Sequence, residues 1–306
     1  MIKFKNKIYL LRSLRPNQWT KNLIVFSAPL FSFRFTTEVW VPSLYAALSF
    51  CFISSSIYLL NDILDIDADK NHPVKCNRPI ASGKINIKTA IITSFILALI
   101  SSLISIYIDL GLFALVVLYA FIQILYCFIL KQKPLLDLFC ISSGFLIRSL
   151  AGLISSNLIL SPWFILSIGL LSLFLAVEKR KAELLTVKND VIKTRKVLKF
   201  YSIPLLLRLE STLATSSFMS YALWASGPIL NGAPTSLMLL TVPCVLLGIF
   251  RYQILSDHEN PLEKGQINGY FTEKPEMVLL KDKGIKAIIF TWLALTISIG
   301  IVSKNS

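Results

Sequence analysis

Eight stretches of this 306-residue chain are long and apolar enough to cross about 30 Å of hydrocarbon at about 20 residues each: 41–60, 87–108, 111–130, 134–155, 161–177, 204–226, 235–255 and 285–303. A ninth, 23–35, is shorter and interrupted by Pro29, and it needs part of the preceding polar stretch to reach across. With 55% hydrophobic and only 16% charged residues, against about 25% charged in an average soluble domain, the chain cannot cover itself with a polar surface. Most of its apolar surface must face lipid. That excludes a soluble enzyme, a disordered chain and a collagen-like or disulfide-stapled scaffold, and it predicts an all-α membrane protein with nine crossings.

Nine crossings make a prediction about charge, because cytoplasmic loops collect Lys and Arg. All of the 31 basic residues except Arg34, Arg148, Arg208 and Lys304 fall in the N-terminal arm or in the loops after spans two, four, six and eight. The opposite connections are short and hold only Arg34, Glu38 and Asp109. The N-terminus is therefore expected inside and the C-terminus outside. The net charge of +14, which would also suit a nucleic-acid binder, reads as this topology signal, and no nucleic-acid partner is expected.

The chain reads as a single membrane domain over 1–306, with 1–15 as a basic, amphipathic interfacial arm and no signal-peptide pattern. Its five cysteines show no disulfide or metal spacing, and two histidines do not support a His-centred metal site. The long polar stretches 61–86, 178–203 and 256–284 all fall on the cytoplasmic side, so chemistry should open to the cytosol. Trp19, Trp40 and Trp163 fall at predicted membrane boundaries as interfacial anchors, and Trp224 and Trp292 read as packing residues.

At the cytoplasmic end of span two stand Tyr58, Asn61, Asp62, Asp65, Asp67 and Asp69. On a continuing helix Asp62, Asp65 and Asp69 share one face, with Tyr58 and Asn61 beside them. Three carboxylates in a row repel one another unless a cation sits among them, and an oxygen-only set suits Mg²⁺, which shares its coordination with substrate phosphates. His72, Lys75, Arg78 and Lys84 follow directly, in a loop with Pro73, Pro79 and Gly83. Acid, metal and base together are a way to hold a diphosphate.

These residues carry a resemblance. Asn61-Asp62-x-x-Asp65-x-x-x-Asp69 resembles the first aspartate-rich motif of the UbiA-type intramembrane prenyltransferases. Arg15-Pro-x-Gln18-Trp19-x-Lys21-Asn22, Asp69-x-x-His72-Pro-x-Lys75-x-x-Arg78-Pro-Ile-Ala-x-Gly83, Ser143-Gly-Phe-x-x-Arg148-x-x-Ala-Gly152, Lys179-Arg180-x-Ala-Glu183-Leu184 and Arg251-Tyr252 resemble its decaprenyl-phosphate phosphoribosyltransferase branch. The resemblance spans nearly the whole chain. It implies nine helices around a central cavity in the cytoplasmic (inner) membrane. It also implies transfer of 5-phosphoribose from 5-phosphoribosyl 1-diphosphate to a polyprenyl phosphate, with loss of diphosphate, to supply a lipid-linked pentose for cell-envelope glycan. Asn61, Asp65 and Asp69 would then hold Mg²⁺, with Asp62, Asp65 and Asp69 as the catalytic carboxylates. Lys75 and Arg78 would assist diphosphate departure. Lys21, Lys131, Lys179 and Arg180 would hold the donor 5-phosphate and the lipid phosphate, and Tyr58 and Tyr126 the ribose or a phosphate oxygen.

One departure from the superfamily pattern matters. Where ordinary members carry a second aspartate-rich motif after span six, this chain reads Glu178-Lys179-Arg180-Lys181-Ala-Glu183, with no aspartate until Asp190. Such a site suits additional phosphate charge. It argues against the alternative within the superfamily, transfer from a prenyl diphosphate to an aromatic acceptor. A transporter, the alternative from another class, needs no carboxylate row beside a basic loop. In span five Asp137 and Arg148 are eleven residues apart and so at nearly the same angular position, which marks that face as cavity-lining; Arg148 near mid-membrane is counted with the substrate-binding residues, an ion pair with a neighbouring helix being the other reading. Arg208 and Glu210 receive no role, and lipid chain length and oligomeric state are left open.

Overall fold

The computed structural model describes residues 2–71, 75–159, 161–189, 196–257, 278 and 281–305, and among these every regular element is helical. The arm forms α1 (Ile2–Ser13). Arg15, with φ 54° in the left-handed region, turns the chain into a 3₁₀-wound segment, Pro16–Phe26, that runs into α2 (Ser27–Phe31). The polar residues before 23–35 are therefore wound together with it, from Pro16 onward. Then follow α3 (Thr37–Leu64), α4 (Ile66–Lys70), α5 (Ile87–Ile108), α6 (Leu110–Phe128), α7 (Leu136–Ser155), α8 (Pro162–Asn189), α9 (Ile203–Ala225), α10 (Val242–Ser256) and α11 (Lys283–Asn305).

Seven helical stretches among the described residues are long and apolar enough to cross a membrane: Thr37–Leu64, Ile87–Ile108, Leu110–Phe128, Leu136–Ser155, Pro162–Leu185, Ser236–Ser256 and Lys283–Ser303. The predicted span 204–226 coincides with α9, whose early Arg208 and Glu210 lower its apolar character. The chain is thus a multi-pass membrane protein. Helix starts follow local chemistry. Asp109 accepts from the N–H groups of Gly111 and Leu112, Asn86 from that of Lys88, and Ser202 from that of Leu205, each supplying an acceptor to donors that the first turn leaves free. α8 runs on well past the predicted end at 177, carrying the basic run on a continuous helix.

Burial separates centre from periphery. Of the most apolar stretch of each helix, 61% is buried in α3 and 56% in α7, against 11% in α5, so α3 and α7 form the middle of the bundle and α5 faces lipid. In lipid, helices gain little from burying apolar surface against one another, so small residues and interhelical hydrogen bonds decide their contacts. α3 shows this. Ser49 and Ser101 meet Oγ to Oγ at 2.8 Å, Ser56 and Ser94 at 2.9 Å, and in both pairs each hydroxyl also reaches the other's main-chain carbonyl. Ser43 joins Ser156 at the end of α7 at 2.5 Å. On α7, Gly152 lies so close to the Pro16–Phe26 segment that a Cβ there would come within 1.8 Å of the Val25 carbonyl oxygen. Phe31, Phe164, Trp224 and Trp292 pack together in the half of the bundle away from the acidic row, and the Trp292 indole N–H donates to the Tyr221 hydroxyl at 2.9 Å.

Candidate functional site

The ends of α3, α6, α8 and α10 and the starts of α5, α7, α9 and α11 meet at one end of the bundle, and the charged side chains concentrate there. α3 does not continue unbroken through the acidic row. It stops at Leu64, and Asp65, at φ −94° and ψ 11°, bends the chain into α4 while its carbonyl still accepts from the Asp69 N–H at 2.8 Å. The bend divides the row. Asp62 and Asp69 face Arg78, whose Nη1 donates to Asp62 Oδ1 at 3.1 Å and to Asp69 Oδ2 at 2.6 Å. Asp65 turns the other way and accepts from Lys131 Nζ at 2.8 Å. Arg78 is delivered by the turn after Lys75–Asn77, and its loop closes on Gly83, at φ 72°.

Sequence reasoning missed a second guanidinium. Arg15, on the turn after the arm, donates to the same Asp62 oxygen that Arg78 uses, and its guanidinium lies over the Tyr58 ring, 5.0 Å from the centroid. Arg12, Arg15, Asp62, Asn77 and Arg78 line a cleft at this mouth. The signal was present, since Arg15 opens the Arg15-Pro motif, but spacing alone cannot place it against a residue 47 positions away. Asn61, beside the row, accepts from the Cys127 thiol at 3.3 Å.

The basic run on α8 is more buried than a membrane-anchoring run would be. Arg180 Nε donates to Asp137 Oδ2 at 2.6 Å, Nη1 to Glu183, and Nη2 to the Tyr126 hydroxyl at 3.4 Å. The Tyr201 hydroxyl donates to Asp137 Oδ1 at 2.7 Å and accepts from the Leu135 N–H at 2.8 Å. Burial and the adjacent carboxylate push that phenol above its ordinary pKa, so it stays a donor. Lys181 bonds Glu178 at 3.0 Å and also Glu210, which accepts from Gln253 as well. Glu210, given no role from its spacing to Arg208, is therefore a buried tie between α8, α9 and α10. Lys179 is half-buried beside them.

Asp137 and Arg148 share a face of α7 but not a partner. Arg148, buried, donates from Nε to Asn22 Oδ1 and from Nη1 to the Gly144 carbonyl, both at 2.6 Å, and from Nη2 to the Tyr119 hydroxyl at 2.9 Å. Its guanidinium also sits 4.6 Å from the Tyr119 ring centroid. The Arg148 contacts anchor Asn22, and hence the backbone carrying Lys21, against the centre of the bundle. Asp62, Asp65, Asp69, Asn61, Tyr58, Arg78 and Lys131 thus come together at one mouth, Tyr126 and Arg180 in the adjoining cluster, and Arg148 deeper, below Lys21. His72 and Asp190 lie outside the described residues.

Among the described residues no three carboxylate, imidazole or thiol groups converge tightly enough to hold a cation as they stand; the acidic row is balanced by Arg15, Arg78 and Lys131 instead. In kind, the donors fit a hard divalent cation: Asn61, Asp62, Asp65 and Asp69 offer oxygen only, at a water-accessible mouth.

The model of the UbiA prenyltransferase family matches residues 25–267. A decaprenyl-phosphate phosphoribosyltransferase of Mycolicibacterium smegmatis is 34% identical over 296 residues, covering 93% of this chain and 90% of the relative. The enzymes of that name from Corynebacterium glutamicum and Mycobacterium tuberculosis are 38% identical over 70% of this chain and 66% of the relative, and 30% identical over 92% and 91%. Among solved structures, a UbiA homologue from Archaeoglobus fulgidus bound to DMAPP and Mg²⁺ superposes with a TM-score of 0.72 at 18% identity, covering 96% of this chain and 99% of that one. A digeranylgeranylglyceryl phosphate synthase superposes with 0.62, covering 98% and 99%.

Proposed function

The chain belongs to the UbiA prenyltransferase family, and from that premise we propose that it is the polyprenyl-phosphate phosphoribosyltransferase of its cell: it transfers 5-phosphoribose from 5-phosphoribosyl 1-diphosphate to a polyprenyl phosphate and releases diphosphate. The observation that carries this beyond the family is the α8 end. Here Arg180 and Lys181 occupy the stretch where a second acidic motif would grip a prenyl diphosphate, and Arg180 is fixed by Asp137 and Glu183 beside the Tyr126 hydroxyl. One acidic row, with Arg180 and Lys181 tied to carboxylates where a second row free to hold metal would stand, suits two phosphorylated substrates better than a prenyl diphosphate gripped between two acidic rows.

The residues divide the work by chemistry. The acceptor is a phosphate monoester with a second pKa of about 6, so it arrives largely ionised and needs no strong base. The difficulty is the leaving group. Asn61, Asp65 and Asp69 would hold Mg²⁺, which supplies charge neutralisation for the departing diphosphate. Arg78 and Lys75 would draw the diphosphate out of the site, while Asp62 orients Arg78. Lys131, Lys179 and Lys21 would fix the two remaining phosphates. Tyr58 and Tyr126 would bond the ribose hydroxyls or a phosphate oxygen. The mouth faces the cytoplasm at the inner membrane, and the prenyl tail leaves between helices into the bilayer.

Membranes containing the protein, incubated with labelled phosphoribosyl diphosphate, Mg²⁺ and polyprenyl phosphates of several lengths, should yield labelled lipid. No labelled lipid at any length would overturn the reading.

A further inference from the structure

The carboxylates of the acidic row are all committed to cations of the chain itself. Asp62 accepts from both Arg15 and Arg78, Asp69 from Arg78 and Asp65 from Lys131. Three negative charges face three positive ones, so charge balances within the bonded set. Two of the three carboxylates are covered. The Asp62 and Asp69 side chains are 2% and 4% exposed beneath Arg15 and Arg78 at 27% and 25%, whereas Asp65, at 30%, is as open as Lys131 at 26%. Over Asp62 and Asp69, an anion arriving from water therefore meets the cations first.

Such an arrangement penalises either ligand alone. A divalent cation that takes a carboxylate leaves a guanidinium beside a new positive charge. A diphosphate that takes a guanidinium leaves a buried carboxylate beside a new negative charge, and an uncompensated buried charge is strongly unfavourable. When both arrive, carboxylates turn to the metal and cations to the phosphate, and every charge keeps a partner.

Resting on the diphosphate-binding reading above, we propose that this mouth works as an exchange set: metal and diphosphate bind with positive coupling, and Arg15, supplied by the turn after the arm, leaves Asp62 to become a contact of the substrate phosphates. Coupling of this kind is reciprocal and amounts to about 5- to 150-fold in affinity.

The test uses the full-length protein in nanodiscs, with Mn²⁺ as probe metal read by electron paramagnetic resonance and inorganic diphosphate as probe anion. Diphosphate also complexes Mn²⁺ in solution, so the decisive arm is metal alone. Arg15→Gln should bind Mn²⁺ alone at least about fivefold more tightly than the parent, because Arg78 alone then offsets the Asp62 and Asp69 charges beside the metal, and should lose most of the gain that diphosphate gives. Arg12→Gln removes the same charge from the same cleft but from an exposed side chain outside the bonded set; screening by water should hold its effect below about twofold. Equal behaviour of the two variants, or an unchanged Arg15→Gln, overturns the exchange. Should Arg15→Gln fail to fold, Asp62→Asn gives the reciprocal reading, tighter diphosphate binding without metal, and its absence is equally decisive. Labelled lipid formed by a protein without these shifts would sink the exchange alone; the shifts without labelled lipid would sink the transfer reading alone.

Discussion

A methyl group at Gly152 would stand 1.8 Å from the Val25 carbonyl oxygen, closer than any contact can be, so the Pro16–Phe26 segment packs where only hydrogen fits. Gly152→Ala should lower stability by about 1–3 kcal/mol or more, as overpacking does, and raise the KM for the donor, because the displaced segment carries Arg15 and Lys21. Thermal unfolding in detergent with donor titration checks both. At the acidic row the expectation differs. Asp65→Ala should cut transfer by roughly 100-fold or more, the upper range for losses around a metal, while expression and membrane insertion stay at parental levels. Retained activity would remove Asp65 from the metal-holding set. Asp62, bonded to two guanidiniums and almost wholly buried, has the less direct role in this division, since it orients its neighbours.

Two contacts between elements make separate predictions. Asp137 and Arg180 tie α7 to α8, both fully buried, and removing one member of a buried pair costs about 3–5 kcal/mol when the other is left unpaired. Arg180 keeps Glu183 and an amide oxygen can still accept from Tyr201, so Asp137→Asn should destabilise the bundle by less, about 1–3 kcal/mol, seen as a lower midpoint of thermal unfolding. Arg251 and Asp282 tie α10 to the start of α11, at 2.9 Å and 3.3 Å, with the Ile285 N–H donating to the same carboxylate at 2.6 Å. Burial pushes the Asp282 carboxyl up, but the Arg251 guanidinium and the backbone N–H groups outweigh it and hold the group below the usual carboxylate range. A lowered folded pKa gives stabilisation that is complete above the unfolded value of about 3.9 and disappears as pH falls through the folded one. Acid should thus loosen α11 below about pH 4, and Asp282→Asn should make the α10–α11 contact insensitive to pH in that window, as read by hydrogen exchange of the α11 amides. Elements were legible where apolar length decided them, as in α5 and α6. Features that go with distant partners were not: α8 continues past 177 where Arg180 and Lys181 bond across to other helices, and the chain bends at Asp65, which bonds a lysine 66 residues away.

At the scale of the whole molecule, the charge pattern predicts that the basic loops and the acidic row share one side of the membrane. Reporter fusions should find the N-terminus cytoplasmic and a C-terminal alkaline phosphatase active outside; an inactive one would mean an even number of crossings. Which residues would gather was readable for Asp62, Asp65, Asp69 and Arg78, because a helix end and its following loop keep them close. Partnerships across the bundle, such as Arg15 with Asp62 or Arg148 with Asn22, depend on three-dimensional packing that no local spacing encodes. The serine ladder between α3 and α5 has a consequence for biogenesis. Its rungs are seven residues apart on both antiparallel helices, Ser49 with Ser101 and Ser56 with Ser94, and all four lie before Ile108. Arg15 and Arg78, which neutralise Asp62 and Asp69, lie there too. The first third of the chain can therefore leave the ribosome, zip into a hairpin and balance most of its own charge before Lys131, the last partner of the acidic row, has emerged.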